Sequence, residues 1–191
     1  MTSNFSWQSF KAQKIAELSE HIEAKRADPL CLPVIDAINK NPSLVTTSSC
    51  SGRFVLLEFN IETSKKEAKF YKRWHRTVTA EEVELALSEY PETKNLPLWF
   101  KVEPFIFHVA AKDLNTAKKF LETVRKIGIK RGGIQTVSAN KIMIEIQGTG
   151  YMAIPTWAIN GEWTKVIDIG NEILERNFKM LKKMEKVFES W

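Results

Sequence analysis

The sequence predicts an α+β fold: a two-layer arrangement of a mixed, largely antiparallel sheet with helices, long helices at both ends, and no Rossmann topology. Three observations carry this. Strand-like runs come in neighbouring pairs, amphipathic helical patterns stand at the two ends, and no G-x-G-x-x-G follows a strand. The 191 residues are expected to form a single domain, 1–191, with a core over about 30–160 flanked by the terminal helices.

Each element has a local reason. From Phe5 to Arg26, Trp7, Phe10, Ile15, Leu18 and Ile22 fall near one helical face, and Asp28-Pro29 breaks the pattern. A short helix follows over Val34–Ile38 and ends at Asn41-Pro42-Ser43. Leu44–Thr47 and Phe54–Phe59 read as strands joined by a turn, Ser48 to Gly52, and Ile61 to Lys69 as a loop. Thr79-Ala80-Glu81-Glu82 is a capping box that starts a helix running to about Tyr90. Trp99–Val102 and Phe105–Ala110 are strands split by Glu103-Pro104. In the second, Phe105, Phe107 and Val109 share one face, and Ile106, His108 and Ala110 the other. Asp113 caps a helix closed by Gly128. Ile134–Val137 and Ile142–Ile146 form a hairpin around Ser138–Lys141, Pro155 and Gly161 punctuate a loop, and the last helix spans about Val166–Glu189.

Composition narrows the function. Hydrophobic residues make up 43% and charged residues 27%, with six Trp and eleven Phe, which suits a packed core. No run approaches the roughly 18 apolar residues of a membrane span, and the start reads as a mixed-charge helix rather than a signal peptide. Two cysteines, Cys31 and Cys50, suit neither a disulfide framework nor a zinc site, so a cytoplasmic protein with reduced thiols and no metal is expected. The net charge of +5 permits a polyanionic partner, and clustering sharpens this. Lys65, Lys66, Lys69, Lys72, Arg73 and Arg76 surround Phe70, Tyr71 and Trp74, an arrangement in which aromatic faces stack bases while cations hold phosphates. Lys118–Arg131 and Lys179–Lys186 carry further basic groups. A solvated face accounts equally for any such cluster.

Ser48-Ser49-Cys50-Ser51-Gly52-Arg53 gathers hydroxyls, a glycine and a cation, which can hold a phosphate or a carboxylate or simply close a tight turn. Cys50 is a candidate nucleophile, although no Cys-His spacing supports one. His75, in Lys72-Arg73-Trp74-His75-Arg76, and His108, mid-strand, are candidate general bases; Glu103 stands at a strand break. Surface and core histidines are the plain alternatives.

The string Val45-Thr46-Thr47-Ser48-Ser49-Cys50-Ser51-Gly52-Arg53 resembles the signature of the wybutosine-synthesis tRNA methyltransferase family, whose members methylate N(4) of a tricyclic base precursor. Trp74-His75, Lys101–Val109 and Arg131-Gly132-Gly133-Ile134 with Ala153-Ile154-Pro155 match further family segments in the same order. The sequence departs at Ala27–Pro33, where Asp28 alone remains of a family stretch, and at Arg131-Gly132-Gly133, which lacks the family's serine. The resemblance implies S-adenosylmethionine as donor and the anticodon arm of phenylalanine tRNA as partner. It further implies Ser49, Ser51, Gly52, Arg53 and Gly133 at the donor, and Lys72, Arg73, Trp74, Arg76 and Arg131 on the tRNA. His75 or His108 would take the ring-nitrogen proton, with Glu103 as a possible orienter and Cys50 only packed nearby. A non-catalytic RNA-binding protein with the same basic groove and a small-molecule enzyme using Cys50 are the alternatives.

Overall fold

The computed structural model describes residues 6–60, 68–91 and 96–191. Lys65, Lys66 and most of the loop expected over Ile61–Lys69 lie outside the described residues. In chain order the elements are α1 (Trp7–Glu23), α2 (Leu32–Lys40), β1 (Leu44–Cys50), β2 (Arg53–Glu58), β3 (Lys69–Trp74), α3 (Ala80–Ser88), β4 (Leu98–Glu103), β5 (Ile106–Ala111), α4 (Leu114–Lys126), β6 (Arg131–Ser138), β7 (Lys141–Gln147), β8 (Met152–Pro155) and α5 (Trp163–Glu189). The α+β class is borne out, and every strand pair among the described residues is antiparallel. The strands form two four-stranded sheets, β1-β5-β7-β6 and β3-β2-β4-β8. Two units follow: residues 1–51, 105–148 and 178–191, and residues 52–104 and 149–177.

In the first unit one face of the sheet is core. Phe105, Phe107, Val109 and Ala111 of the β5 segment and Ile142, Ile144 and Ile146 of β7 are buried at every second position, as the pleat requires. They pack with Val34, Ile35 and Ile38 of α2 and with Ala117, Phe120, Leu121 and Val124 of α4. Leu181, Met184 and Phe188 from the end of α5 close this core, and the Phe120 and Phe188 rings stack at 5.0 Å. Asp113 caps α4, accepting the Thr116 N–H at 2.8 Å. On the opposite face, Trp7 and Phe10 of α1 pack with Val45, Ala110 and Met143. Lys11 ties α1 down by donating to the carbonyls of Asn39, Asn41 and Leu44.

In the second unit Phe54, Leu56, Phe100 and Val102 are fully buried beneath the first half of α5. Trp163 packs edge-on to Phe100 at 5.5 Å, and a Cβ on Gly170 would lie 2.7 Å from the Phe54 ring, so the helix sits here only because this residue has no side chain. Asn171 accepts the Val78 N–H and donates to its carbonyl, and the capping box of α3 forms as expected, with Thr79 Oγ1 accepting the Glu82 N–H.

Three readings of the sequence change. β1 runs on to Cys50, because Ser48, Ser49 and Cys50 pair with His108, Phe107 and Ile106, so only Ser51 and Gly52 separate it from β2. β3 lies where the sequence shows a basic cluster: an edge strand shows its charges to solvent and leaves no apolar alternation to find. β8 replaces part of the loop expected around Pro155: it is four half-buried residues ending in a proline, tolerable only at an edge.

Neighbouring glycines in β6 should behave oppositely. Gly132 has φ +145°, and a Cβ there would lie 2.3 Å from the Glu145 carbonyl oxygen, whereas a Cβ on Gly133 meets nothing within 4 Å. Gly132→Ala should lower the unfolding free energy by about 2 kcal/mol or more and Gly133→Ala by less than about 0.5 kcal/mol, measured by urea denaturation. Glu82 titrates near 2, because Arg76 and the Thr79 N–H hydrogen-bond its carboxylate. Its contribution to stability is present above the unfolded-state value of about 4.3 and is lost as pH falls toward 2. A carboxyl NMR titration of Arg76→Gln should move that midpoint up.

Candidate active site

The face of the first sheet that α1 leaves uncovered carries polar groups in register. Direct cross-strand partners share a face, and here Ser48 opposes His108, His108 opposes Glu145, and Glu145 opposes Gly133. Ser48 Oγ lies 2.8 Å from His108 Nδ1, and His108 Nε2 lies 2.9 Å from Glu145 Oε2. An ionised carboxylate only accepts, so Glu145 fixes the proton on Nε2 and leaves Nδ1 to accept the Ser48 hydroxyl. The histidine is one-third exposed and Ser48 is exposed, so the row faces solvent. This is a hydroxyl–imidazole–carboxylate relay able to receive a proton at Ser48 and hold the resulting imidazolium. A register shift between Thr46 and Ser48 brings this about, with the extra residue, Thr47, donating its hydroxyl to the His108 carbonyl at 3.2 Å. The next row along the same face pairs Cys50 with Ile106, Ile106 with Gln147, and Gln147 with Arg131.

Beside β1 lies a cleft of about 170 Å³ lined by Lys14, His21, Arg26, Asp28, Ser48 and Ser49, among others. It is smaller than the roughly 300–1,000 Å³ of a whole-ligand pocket and suits a charged head group. Its charged groups are Lys14 and Glu17, paired with each other at 2.6 Å, and Arg26 and Asp28. Asp28 Oδ2 accepts the Ser51 N–H at 2.8 Å, and Ser51 itself is fully buried. Gly52 follows with φ +99°. Burial, and then the charge of Asp28, push the Cys31 thiol far up, so Cys31 is no nucleophile.

The second unit holds the other expected residues. Arg53, in β2, donates from Nε to Glu103 Oε2 at 2.8 Å, and Lys101 Nζ donates to Glu103 Oε1 at 2.9 Å. Burial raises the Glu103 carboxyl, but hydrogen bonds from Lys101 and Arg53 and their charges outweigh it and hold the group below the usual carboxylate range. The Arg53 and Arg73 guanidinium groups lie 4.7 and 5.3 Å from the Phe70 ring centroid. Lys72 reaches Glu89 at 3.5 Å, Trp74 pairs with Phe54, and Arg76 is engaged twice by Glu82. His75 sits in the exposed bend after β3, and Arg131 is exposed at the start of β6.

The structure thus gathers Ser48, His108, Gly133 and Arg131 on one sheet, and Arg53, Glu103 and Arg73 on the other. The carboxylate on His108 is Glu145, and Glu103 is engaged by Arg53 and Lys101. Sequence reasoning misses Glu145 and reaches Ser48 only as a member of the serine-rich run. The only signal for Glu145 was a charged residue amid the alternating isoleucines of Ile142–Ile146, where register alone says what it meets.

The model of the family described as Methyltransferase TYW3 matches residues 9–190. The chain is 31% identical to the tRNA(Phe) 7-((3-amino-3-carboxypropyl)-4-demethylwyosine(37)-N(4))-methyltransferase 1 of Thermococcus kodakarensis, over 98% of this chain and 96% of that one. It is 32% identical to the protein of the same name from Pyrococcus horikoshii, over 96% and 94% of the two chains. Among solved structures, the PH1069 protein from Pyrococcus horikoshii superposes with a TM-score of 0.86 at 29% identity, covering 96% of each chain. A match of this extent, with the signature strand and the Glu103–His108 segment in place, shows that the chain belongs to the Methyltransferase TYW3 family.

Proposed function

We propose that this chain is a cytoplasmic S-adenosylmethionine-dependent methyltransferase acting on N(4) of the 4-demethylwyosine-type base beside the anticodon of phenylalanine tRNA. The observation that carries this reading is agreement over nearly the whole chain with relatives whose names specify that reaction. The absence of a glycine-rich dinucleotide fingerprint agrees with the two antiparallel sheets: the donor must be held without one.

The cleft beside β1 fits the amino-acid end of such a donor, Arg26 for its carboxylate and Asp28 for its ammonium, with the Ser49 hydroxyl alongside. Ser51 and Gly52 act one step back: the buried Ser51 N–H holds the Asp28 carboxylate. Gly133 keeps the space beside Glu145 open. When bound, S-adenosylmethionine supplies an electrophilic methyl group on a sulfonium. As the ring nitrogen gains the methyl it must lose its proton. A proton delivered to Ser48 Oγ sends the hydroxyl's own proton to His108 Nδ1, and Glu145 balances the imidazolium. Lys72, Arg73, Trp74, Arg76 and Arg131 hold the anticodon arm, the cations through phosphates and the indole through stacking.

Incubation with labelled S-adenosylmethionine and tRNA carrying the demethylated tricycle should give one methyl per tRNA. Binding of tRNA without transfer or donor binding would make the protein a non-catalytic RNA binder instead. His108→Gln should reduce the single-turnover rate by about 10²–10⁴-fold with donor affinity unchanged, and Glu145→Gln by a smaller factor. If His75→Gln, and not His108→Gln, abolishes transfer, the acceptor is His75 and the Ser48–His108–Glu145 row is structural.

A further inference from the structure

We propose that the open face of the β3-β2-β4-β8 sheet is the pocket for the tricyclic base itself, stacking the ring on aromatic walls and reading a 3-amino-3-carboxypropyl arm with Lys101 and Glu103. This rests on the N(4)-methylation reading. The cavity measures about 490 Å³, within the range of small-molecule sites. Leu57 and Ala153 line it from β2 and β8, the strands on either side of β4, and Phe59, Phe70, Trp99 and Tyr151 are its aromatic residues. Trp99 is a fixed platform: its Nε1 donates to the Phe59 carbonyl at 3.0 Å, and the rings of Phe59 and Trp157 pack edge-on to it at 6.4 and 5.8 Å. Phe70 and Tyr151, by contrast, are 47% and 51% exposed. Folding gains little from two half-exposed aromatics facing a cavity, whereas a flat ring laid against them would bury both.

The charges complete the recognition. Glu103 stays ionised between Arg53 and Lys101, and Glu103 and Lys101 both line the cavity. An arm bearing an ammonium and a carboxylate is complementary to this set: the carboxylate meets Lys101, and the ammonium meets Glu103. S-adenosylmethionine carries the same arm and an adenine ring, so the chemistry has two sources. The base is favoured because the bounding edge strand, β3, sets Arg73 on the cavity's own face, and its guanidinium stacks on Phe70 at the cavity wall. A free donor needs no such cation beside the ring, whereas a nucleotide within an RNA arrives with its phosphates.

Phe70→Ala and Tyr151→Ala test the pocket, with unfolding midpoints checked against wild type. Dissociation constants are measured for S-adenosylmethionine, for tRNA carrying the arm-bearing tricycle and for the same tRNA with guanosine in its place. Each variant should bind the modified tRNA about 5- to 150-fold more weakly, the range expected for one stacked base, with the other two affinities unchanged. Lys101→Met should lose the preference for the arm-bearing tricycle over one without the arm. A fall in donor affinity with modified-tRNA binding intact would assign the cavity to the donor and overturn the proposal. Three unchanged affinities in both alanine variants would show the face is no site. A wild-type protein that transfers methyl while the variants keep their base preference sinks the pocket alone; a wild type that transfers none sinks the reaction reading.

Discussion

The site in the first unit depends on antiparallel register. A strand shows successive side chains to opposite faces, so the pairing of β5 with β1 on one side and β7 on the other decides at once what is core and what is chemistry. With Val109 opposite Ile144 and Phe107 opposite Ile146, the apolar alternation is buried against α2 and α4. The same pairing leaves His108 no choice of neighbours: Ser48 on one side and Glu145 on the other. Burial of the isoleucines therefore pins the histidine, since slipping β7 by one residue would put Glu145 into the core. An unpaired buried carboxylate costs several kcal/mol.

The second unit uses the sheet differently. Its buried face takes the first half of α5 at close quarters, and its other face combines a carboxylate set between two cations with aromatic rings. Glu103 is at the end of β4 with Arg53 directly opposite, and Lys101 stands two residues back on the same face. Period-two geometry again turns a one-dimensional spacing, Lys-x-Glu, into a contact.

The sequence made legible what depends on short-range pattern. The Thr79–Glu82 capping box, the Asp113 cap, the β6–β7 hairpin and the alternation in Phe105–Ala110 are local, and each forms where the residues indicate. The signature string and His108 stand out in the sequence through the company they keep along the chain. Pairing was not. Nothing in Ile142–Gln147 says that its glutamate meets a histidine 37 residues earlier, and nothing in the serine-rich run says that it continues a strand. β3 and β8 escaped because edge strands carry half the apolar signal of central ones. The interleaving of the two units, three chain segments in one and two in the other, leaves no compositional trace.

The irregularity in β1 carries a consequence for divergence within such a family. Thr46 opposes Val109 and Ser48 opposes His108, so Thr47 is a supernumerary residue between two in-register pairs. Without that irregularity the count would run on, setting Thr47 against His108 and turning Ser48 toward Phe107 on the buried side. Which hydroxyl meets the imidazole is thus a matter of frame and not of identity. A run of similar small residues disguises this, because an insertion or deletion among Thr46, Thr47, Ser48 and Ser49 barely alters composition yet can carry a side chain from one face of the sheet to the other. Among descendants of this chain, the spacing of the serine-rich run should be held more tightly than its letters.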